Sequence, residues 1–299
     1  MTNKHLFIAA HAKDYTVSVL CRLLQVCRSW FYGYLSSQPE RQARAQRKEQ
    51  REQKLLSLIR AMFLESRGCY GSKRIHAELV AKGEVVSQRR IAKLMSDNDI
   101  SPYRRGPVPP VTTLSNHKKS PSPNLLQREF DRFTPNTVWL ADITYVATDE
   151  GWLYVAAIKD MATREIVGWA MDRHMKASLC SSALEMALAR RGPVPGLIHH
   201  SDRGSQYCSE EYRAKLRNAG IRQSMSRKGQ CLDNAPMESF FASLKKELVH
   251  QTIFATREQA KAAIFEYIEV FYNRRRRHSS IGYKTPCEAF RQRAWKMAA

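Results

Sequence analysis

Cysteine chemistry is the first thing this sequence lacks. Its seven cysteines (positions 21, 27, 69, 180, 208, 231 and 287) are scattered, and none falls in a CxxC or Cys/His ligand spacing. That argues against a zinc module and reads as reduced thiols in a cytoplasm. No apolar run approaches the roughly 20 residues of a membrane span. The opening stretch MTNKHLFIAAHAKDY is broken by polar residues too early for a signal peptide. Neither GxGxxG nor GxxxxGK[ST] occurs, which counts against an ATP-driven enzyme. Acidic residues are also scarce: 28 Asp and Glu face 49 Lys and Arg, a net charge of +21. The first 130 residues hold 23 basic and 10 acidic side chains, and the remainder is basic too. So one-sided a balance, spread over the chain, implies a polyanionic partner such as nucleic acid.

What is present divides into a helical part and an α/β part. YTVSVLCRLLQVCRSWFYGYLSS (15–37) reads as a short helix, a tight turn through Gln25 and Val26, and a second helix opening near Cys27, the outline of a helix-turn-helix. Arg28, Ser29 and Tyr32 would begin its recognition helix. Residues 39–66 read as one long helix, basic first and then apolar at Leu55, Leu56, Ile59, Met62 and Phe63. A second helix pair follows. Ser72 and Ser87 are the expected N-caps, Gly83 the stop, and Ser72, Lys73, Arg74, Gln88, Arg89 and Arg90 lie at the helix starts. Residues 101–136 hold seven of the twelve prolines and read as a basic linker. The predicted organisation is a helix-turn-helix over 1–38 and a basic helix with a second such unit over 39–100. The linker over 101–136, an α/β core over 137–250 and a basic helical extension over 251–299 complete it.

Within the core, strands are predicted over 137–148, 152–163 and 164–173, with a hairpin turn at Asp149-Glu150-Gly151. A helix over 178–191, a strand at 196–202, a helix at 209–220, a strand at 221–226 and a further helix follow. Three antiparallel strands and then alternating helices and strands predict a mixed α/β sheet flanked by helices, not a doubly wound nucleotide-binding fold.

Three acids occupy telling places in that layout. Asp142 lies inside the first strand, in WLADITYV. Asp202 ends the fourth strand. Glu238 sits in the first turns of the last helix, with Lys245 two turns further along the same line. An Asp within a core strand is costly unless paired. An Arg or Lys partner would make it structural, whereas neighbouring carboxylates would suit Mg²⁺ or Mn²⁺. Two such ions could activate a water or a 3′-hydroxyl at a phosphodiester without a side-chain nucleophile. His199 and His200 read as hydrogen-bonding or DNA-contact residues, Asp233 and Asn234 as helix caps, and Trp139 and Trp152 as core.

WLADITYV, HHSDRGSQYCS and SRKGQCLDNAPMESFFASLKKEL together resemble the DDE signature of the retroviral-integrase superfamily, with 35 residues between the second and third acids. YGSKRIHAEL and YNRRRRHSSIGYKTPCEAF extend the resemblance to the second-frame (orfB-type) transposases of two-frame bacterial insertion sequences. It covers about residues 15–290. The resemblance implies an RNase H-like catalytic core that cuts DNA at terminal inverted repeats and transfers the released 3′-hydroxyl to a second strand. Asp142, Asp202 and Glu238 become ligands of two Mg²⁺ or Mn²⁺ ions. Lys245 becomes a DNA contact beside the scissile phosphate. The DNA-binding set is completed by Arg203, Lys228, the run Arg274, Arg275, Arg276, Arg277, and His278, beside the helix-start residues above. Retroviral integrases begin with a His/His/Cys/Cys zinc module that this chain lacks, so helix-turn-helix units would dock DNA instead. Implied partners are double-stranded DNA, further copies of the chain in a dimer or larger assembly, and an upstream-frame protein or fusion. The implied location is the bacterial cytoplasm, at the nucleoid. Two other readings remain open here: an RNase H-like nuclease or junction resolvase that cuts without joining, and a DNA-binding repressor whose acids bind no metal.

Overall fold

The computed structural model describes residues 3–103, 120–127, 134–192, 195–227 and 230–298. Helices α1 (Lys4–His11), α2 (Val17–Leu23) and the start of α3 (Arg28–Glu65) close over Ile8, Leu20, Cys21 and Phe31. The turn between α2 and α3 is as expected, with Gln25 at φ 53° and Val26 N–H bonded to the Cys21 carbonyl. α1 was not foreseen, because its apolar face is a single buried side chain, Ile8. The helix that opens at Arg28 runs on through Pro39 to Glu65. Proline inside a helix costs about 3 kcal/mol, and the Ala, Arg, Gln, Glu and Lys that follow are strong enough helix formers to carry it on.

The second helix pair is α4 (Ser72–Ala81) and α5 (Gln88–Asp97). Ser87 caps α5 by accepting from Arg90 N–H at 3.3 Å. At α4 the cap position falls on Gly71, and Ser72 is instead the first helical residue. Gly83, at φ +83°, turns the chain out of α4. Ile59 and Met62 of α3, Ile75 and Leu79 of α4, and Ile91, Leu94 and Met95 of α5 bury one another.

The core is a five-stranded mixed sheet in the order β3-β2-β1-β4-β5. β1 (Val138–Thr148), β2 (Gly151–Asp160) and β3 (Ile166–Asp172) form an antiparallel meander. β4 (Ile198–Ser201) returns through α6 (Ala177–Arg191) to lie parallel to β1, and β5 (Arg222–Met225) returns through α7 (Glu210–Asn218) to lie parallel to β4. Strand alternation sorts side chains to two faces. Val138, Leu140, Val146, Val155 and Ala157 pack beneath α8 (Ala235–Glu247) and α9 (Arg257–Phe265), while Trp139, Ala141, Ala156 and Ile158 pack beneath α6 and α7. α6 crosses β3 so closely that a Cβ on Gly168 would lie 2.2 Å from the Ala183 carbonyl, and only glycine fits there. After α9 a π-helical stretch, Glu266–Tyr272, buries Tyr267, Ile268, Phe271 and Tyr272, and α10 (Pro286–Ala298) ends the chain. This is the α/β, RNase H-like integrase-core architecture expected, preceded by all-α units. No described helix is long and apolar enough to cross a membrane.

Candidate active site

Strand register brings the first two acids together. β1 and β4 pair in parallel through Val138↔Ile198, Trp139↔His199 and Leu140↔His200. Asp142 and Asp202 each lie two residues beyond the last of these pairs. Asp142 continues along β1 and Asp202 directly follows the end of β4, so both lie toward the same end of the parallel pair, where the Asp202 charge acts on Asp142. Alternation puts Asp142 on the face of Val138 and Leu140, which carries α8. Backbone amides steady both: Ile143 N–H donates to Asp142 Oδ1 at 2.8 Å, and Gly204 N–H to Asp202 Oδ1 at 2.9 Å. A Cβ on Gly204 would stand 3.0 Å from that same Asp202 oxygen.

The third acid arrives on α8, whose Met237, Phe240, Phe241 and Leu244 are buried on the sheet. That packing leaves Glu238 exposed on the neighbouring edge. Glu238 and Lys245 both act electrostatically on Asp142. The Asp142 carboxyl is pushed up to about 8 from an ordinary 3.8, first by desolvation, then by the Asp202 charge, with Glu238 adding to it. The Ile143 amide and Lys245 pull the other way. Glu238 is raised by desolvation alone. Lys245 holds its ammonium 4.8 Å from the centre of the Tyr145 ring, a cation–π contact; burial lowers its pKa and Asp142 raises it. Asp202 raises Asp142 more than Glu238 does. Among the described residues no three His, Cys, Asp or Glu side chains are gathered tightly enough to surround one ion.

Two residues whose contacts were not foreseen anchor α8 to β1 and β2. Asn234, at its N-cap position, makes no capping bond; its Nδ2 donates to the Ala141 carbonyl at 3.2 Å, next to Asp142. Lys159, fully enclosed on β2, donates from Nζ to the Pro236 carbonyl at 2.8 Å, two residues before Glu238. A lysine within the apolar run WLYVAAIKDM was the available signal, as unusual in a core strand as Asp142 itself. Asp233 is buried and accepts from Asn124 Nδ2 (3.0 Å), Arg227 N–H (2.9 Å) and the Arg227 guanidinium. The two histidines are internal hydrogen-bonding residues. His199 meets the Tyr212 hydroxyl at 2.9 Å, and His200 meets Ser224 and Ser226 at 2.8 and 3.1 Å. Burial pushes them down to about 3 and about 4, so both are neutral. Trp139 is core, whereas Trp152 is half exposed.

The expected DNA contacts separate into outward and inward groups. Arg28, Ser29, Tyr32, Lys73, Gln88, Arg89, Arg274 and Arg275 are exposed. Ser72 receives a hydrogen bond from Gln88 Nε2 at 2.8 Å, Arg90 is paired with Glu52, and Arg74 lies over the Tyr70 ring. Arg203 donates from Nε to the Ser226 carbonyl at 2.7 Å. Lys228 lies outside the described residues. Arg276, Arg277 and His278 do not fit the expectation of an outward-facing phosphate contact. Arg276 and His278 are buried, and Arg277 is largely covered. The Arg276 and Arg277 guanidinium groups are bound to Glu247 and Glu78, and His278 packs on Tyr272.

Residues 134–231 match the integrase core domain family, residues 238–294 match a second integrase core domain family, and residues 50–107 match an HTH-like domain. The chain is 44% identical over 280 residues to an uncharacterized 31 kDa protein of insertion element IS600 from Shigella sonnei, covering 94% of this chain and all of that one. It is 40% identical over 283 residues to the transposase InsF for insertion sequence IS3A from Escherichia coli K12, covering 95% and 96% of the two chains. Among solved structures, the catalytic core domain of BIV integrase aligns over 55% of this chain and 99% of its own at 16% identity, with a TM-score of 0.43. The HTLV-2 integrase catalytic core in complex with magnesium aligns over 53% and 98% at 16% identity and a TM-score of 0.40. On the two family-wide relatives and the three domain matches, the chain belongs to the integrase-core transposases of IS3-type insertion sequences.

Proposed function

We infer that this transposase cuts DNA at the terminal inverted repeats of its element and joins the released 3′-hydroxyl to a target strand, using Asp142, Asp202 and Glu238. The observation that carries the reading is the β1–β4 register, which brings Asp142 and Asp202 toward the same end of the parallel pair with each carboxylate held by a backbone amide. Desolvation, Asp202 and Glu238 all raise the Asp142 pKa. Asp142 is desolvated and repelled by the Asp202 and Glu238 charges, and Lys245 acts on it in the opposite sense. Such an oxygen donor set fits a hard divalent cation, Mg²⁺ or Mn²⁺. When bound, one or two such ions would polarise the scissile phosphate and activate the attacking oxygen.

The chain's own groups do the rest. Asp142 and Asp202, fixed by backbone amides, define where the phosphate must sit. Glu238 closes the site from α8, and Lys245, about 10 Å further along that helix, meets the approaching backbone charge. In the first step water adds to phosphorus and the strand's 3′-oxygen leaves with a proton as the 3′-hydroxyl. In the second, that hydroxyl adds to a phosphodiester of another duplex and displaces its 3′-oxygen, so bonds made equal bonds broken and no nucleotide triphosphate is consumed. Arg28, Ser29, Tyr32, Lys73, Gln88, Arg89, Arg274 and Arg275 are the exposed candidates for docking the duplex. Synapsis of two ends calls for a dimer or larger assembly, with an upstream-frame partner a further component.

The test incubates the protein with a labelled duplex bearing the element's end, in Mg²⁺ or in EDTA. Metal-dependent nicking and 3′-end joining, both lost in Asp202→Asn, are expected. Nicking without joining would favour a nuclease. Equal DNA binding with no nicking in either condition would favour a repressor.

A further inference from the structure

Arg276 and Arg277 are adjacent in the chain, yet they grip different parts of the molecule. Arg276 is 5% exposed. Its Nε and Nη2 donate to Glu247 Oε2 and Oε1 at 2.8 and 2.6 Å, and Nη2 also reaches Ser243 Oγ at 3.1 Å. The Tyr267 hydroxyl donates to the same Glu247 carboxylate at 2.8 Å. Glu247 closes the last turn of α8, about 13 Å along the helix from Glu238.

Arg277 faces the helix-turn-helix unit. Its Nη2 donates to Glu78 Oε2 at 3.1 Å, and its Nε stands 2.8 Å from Glu78 Oε1 as an ion-pair contact, so the guanidinium holds α4. Its backbone N–H donates to the Tyr70 hydroxyl at 2.8 Å, and that hydroxyl donates to the Arg275 carbonyl at 3.3 Å. Nη1 donates to the Tyr283 carbonyl at 2.9 Å. Nearby, Arg67 pairs with Glu266 and lies over the Tyr267 and Phe271 rings at 5.7 and 5.4 Å.

We propose that Arg276 and Arg277 form a brace that sets the distance between the DNA-reading helices α4–α5 and the catalytic carboxylates, and thereby selects which phosphodiester is cut. The proposal rests on the strand-cleavage reading above. Both are positioning residues: neither touches substrate. Phosphate contacts near the site carry no sequence information, so which phosphodiester meets the carboxylates depends on the spacing the protein sets between the sequence reader and the site. Successive phosphates of one strand are about 3.4 Å apart along the duplex, so a shift of that size in the reader moves the cut by one nucleotide. Because the two arginines share one peptide bond, α4 cannot slide against α8 without breaking a charge-assisted contact.

The experiment maps nicks at single-nucleotide resolution on a labelled duplex from the end of the insertion element, alongside a footprint and thermal unfolding. Wild type is expected to cut at one dominant position. Arg277→Gln should keep the footprint, with affinity within about threefold. Its nicks should spread to neighbouring phosphodiesters, and the main cut should fall about tenfold, in line with the cost of small misplacements. The exchanged pair Glu78→Arg with Arg277→Glu should regain a single position. Should Arg277→Gln not fold, Arg277→Lys and Tyr70→Phe carry the same comparison. Variants that cut at the wild-type position in the wild-type proportion, even with lowered stability, overturn the brace. So does faster cutting at an unchanged position, which would make the contact an inhibitory lock. A wild-type protein that cuts nothing overturns the strand-cleavage reading instead.

Discussion

The two ends of α8 carry glutamates with opposite fates. Glu247, in the last turn, is buried and tied to Arg276 and Tyr267. Glu238, in the first turn, is exposed beside Asp142, and among the described residues no hydrogen bond or ion pair reaches it. The difference follows from which face of one helix each residue occupies: the same apolar stripe that buries Glu247 beside the π-helical segment turns Glu238 toward the strand ends. A charge satisfied from within stabilises the fold, and a charge left without a protein partner is available for chemistry.

The comparison can be broken first at its buried end. Arg276→Met leaves Glu247 enclosed and unpaired, which should cost about 3–5 kcal/mol of stability. Chemical denaturation measures it, and a loss under 1 kcal/mol would mean that the pair contributes little.

At the end near Asp142 the expected sign is reversed. Asp142 has a folded pKa near 8, above its ordinary 3.8. Its contribution to stability is therefore fully present below about pH 4 and is lost as pH rises through about 8. Since the residue is partly exposed, the decline should be about 2 kcal/mol, less than the full linkage of about 1.4 kcal/mol per pKa unit. Asp142→Asn should flatten that decline in metal-free buffer. Mg²⁺ at about a hundred times its dissociation constant should return about 2.7 kcal/mol to the wild type and little to the variant. Thermal unfolding across pH 4–9, with and without Mg²⁺, reads both effects.

His199 sharpens the comparison from the acid side. Its folded pKa of about 3 lies below the ordinary 6.5. Its stabilising contribution is present above pH 6.5 and is lost as pH falls toward 3. His199→Gln should make acid unfolding shallower over that window. The smallest effect is expected at an exposed neighbour of the brace: Arg274→Ala should change stability by under about 0.5 kcal/mol. It should also lower the salt slope of DNA binding by about one unit.

Much of this was legible in the sequence. Apolar and β-branched runs bounded by turns located all five strands, and Asp142 stood out because an acid inside WLADITYV needs a reason. The brace was not legible. Four consecutive arginines look alike, and which of them turn inward depends on Glu247 and Glu78, 29 and 199 residues from their partners. Asn234 looked like a cap because Asn commonly is one, and its bond to Ala141 exists only once α8 lies on β1. Lys159 carried a readable signal in its apolar surroundings, but its partner is a backbone carbonyl, which no sequence pattern marks. Pro39 reads as a boundary, yet the helix formers after it hold α3 together.

The central claim is that Glu238 is reserved for catalysis while Glu247 holds the fold. Single-turnover cleavage of a labelled element end by Glu238→Gln, in saturating Mg²⁺ and beside its melting temperature, tests it most directly. The account predicts wild-type stability and DNA binding with cleavage reduced about a thousand-fold or more, roughly 4 kcal/mol on the barrier. Cleavage at the wild-type rate by a fully folded Glu238→Gln protein would contradict it.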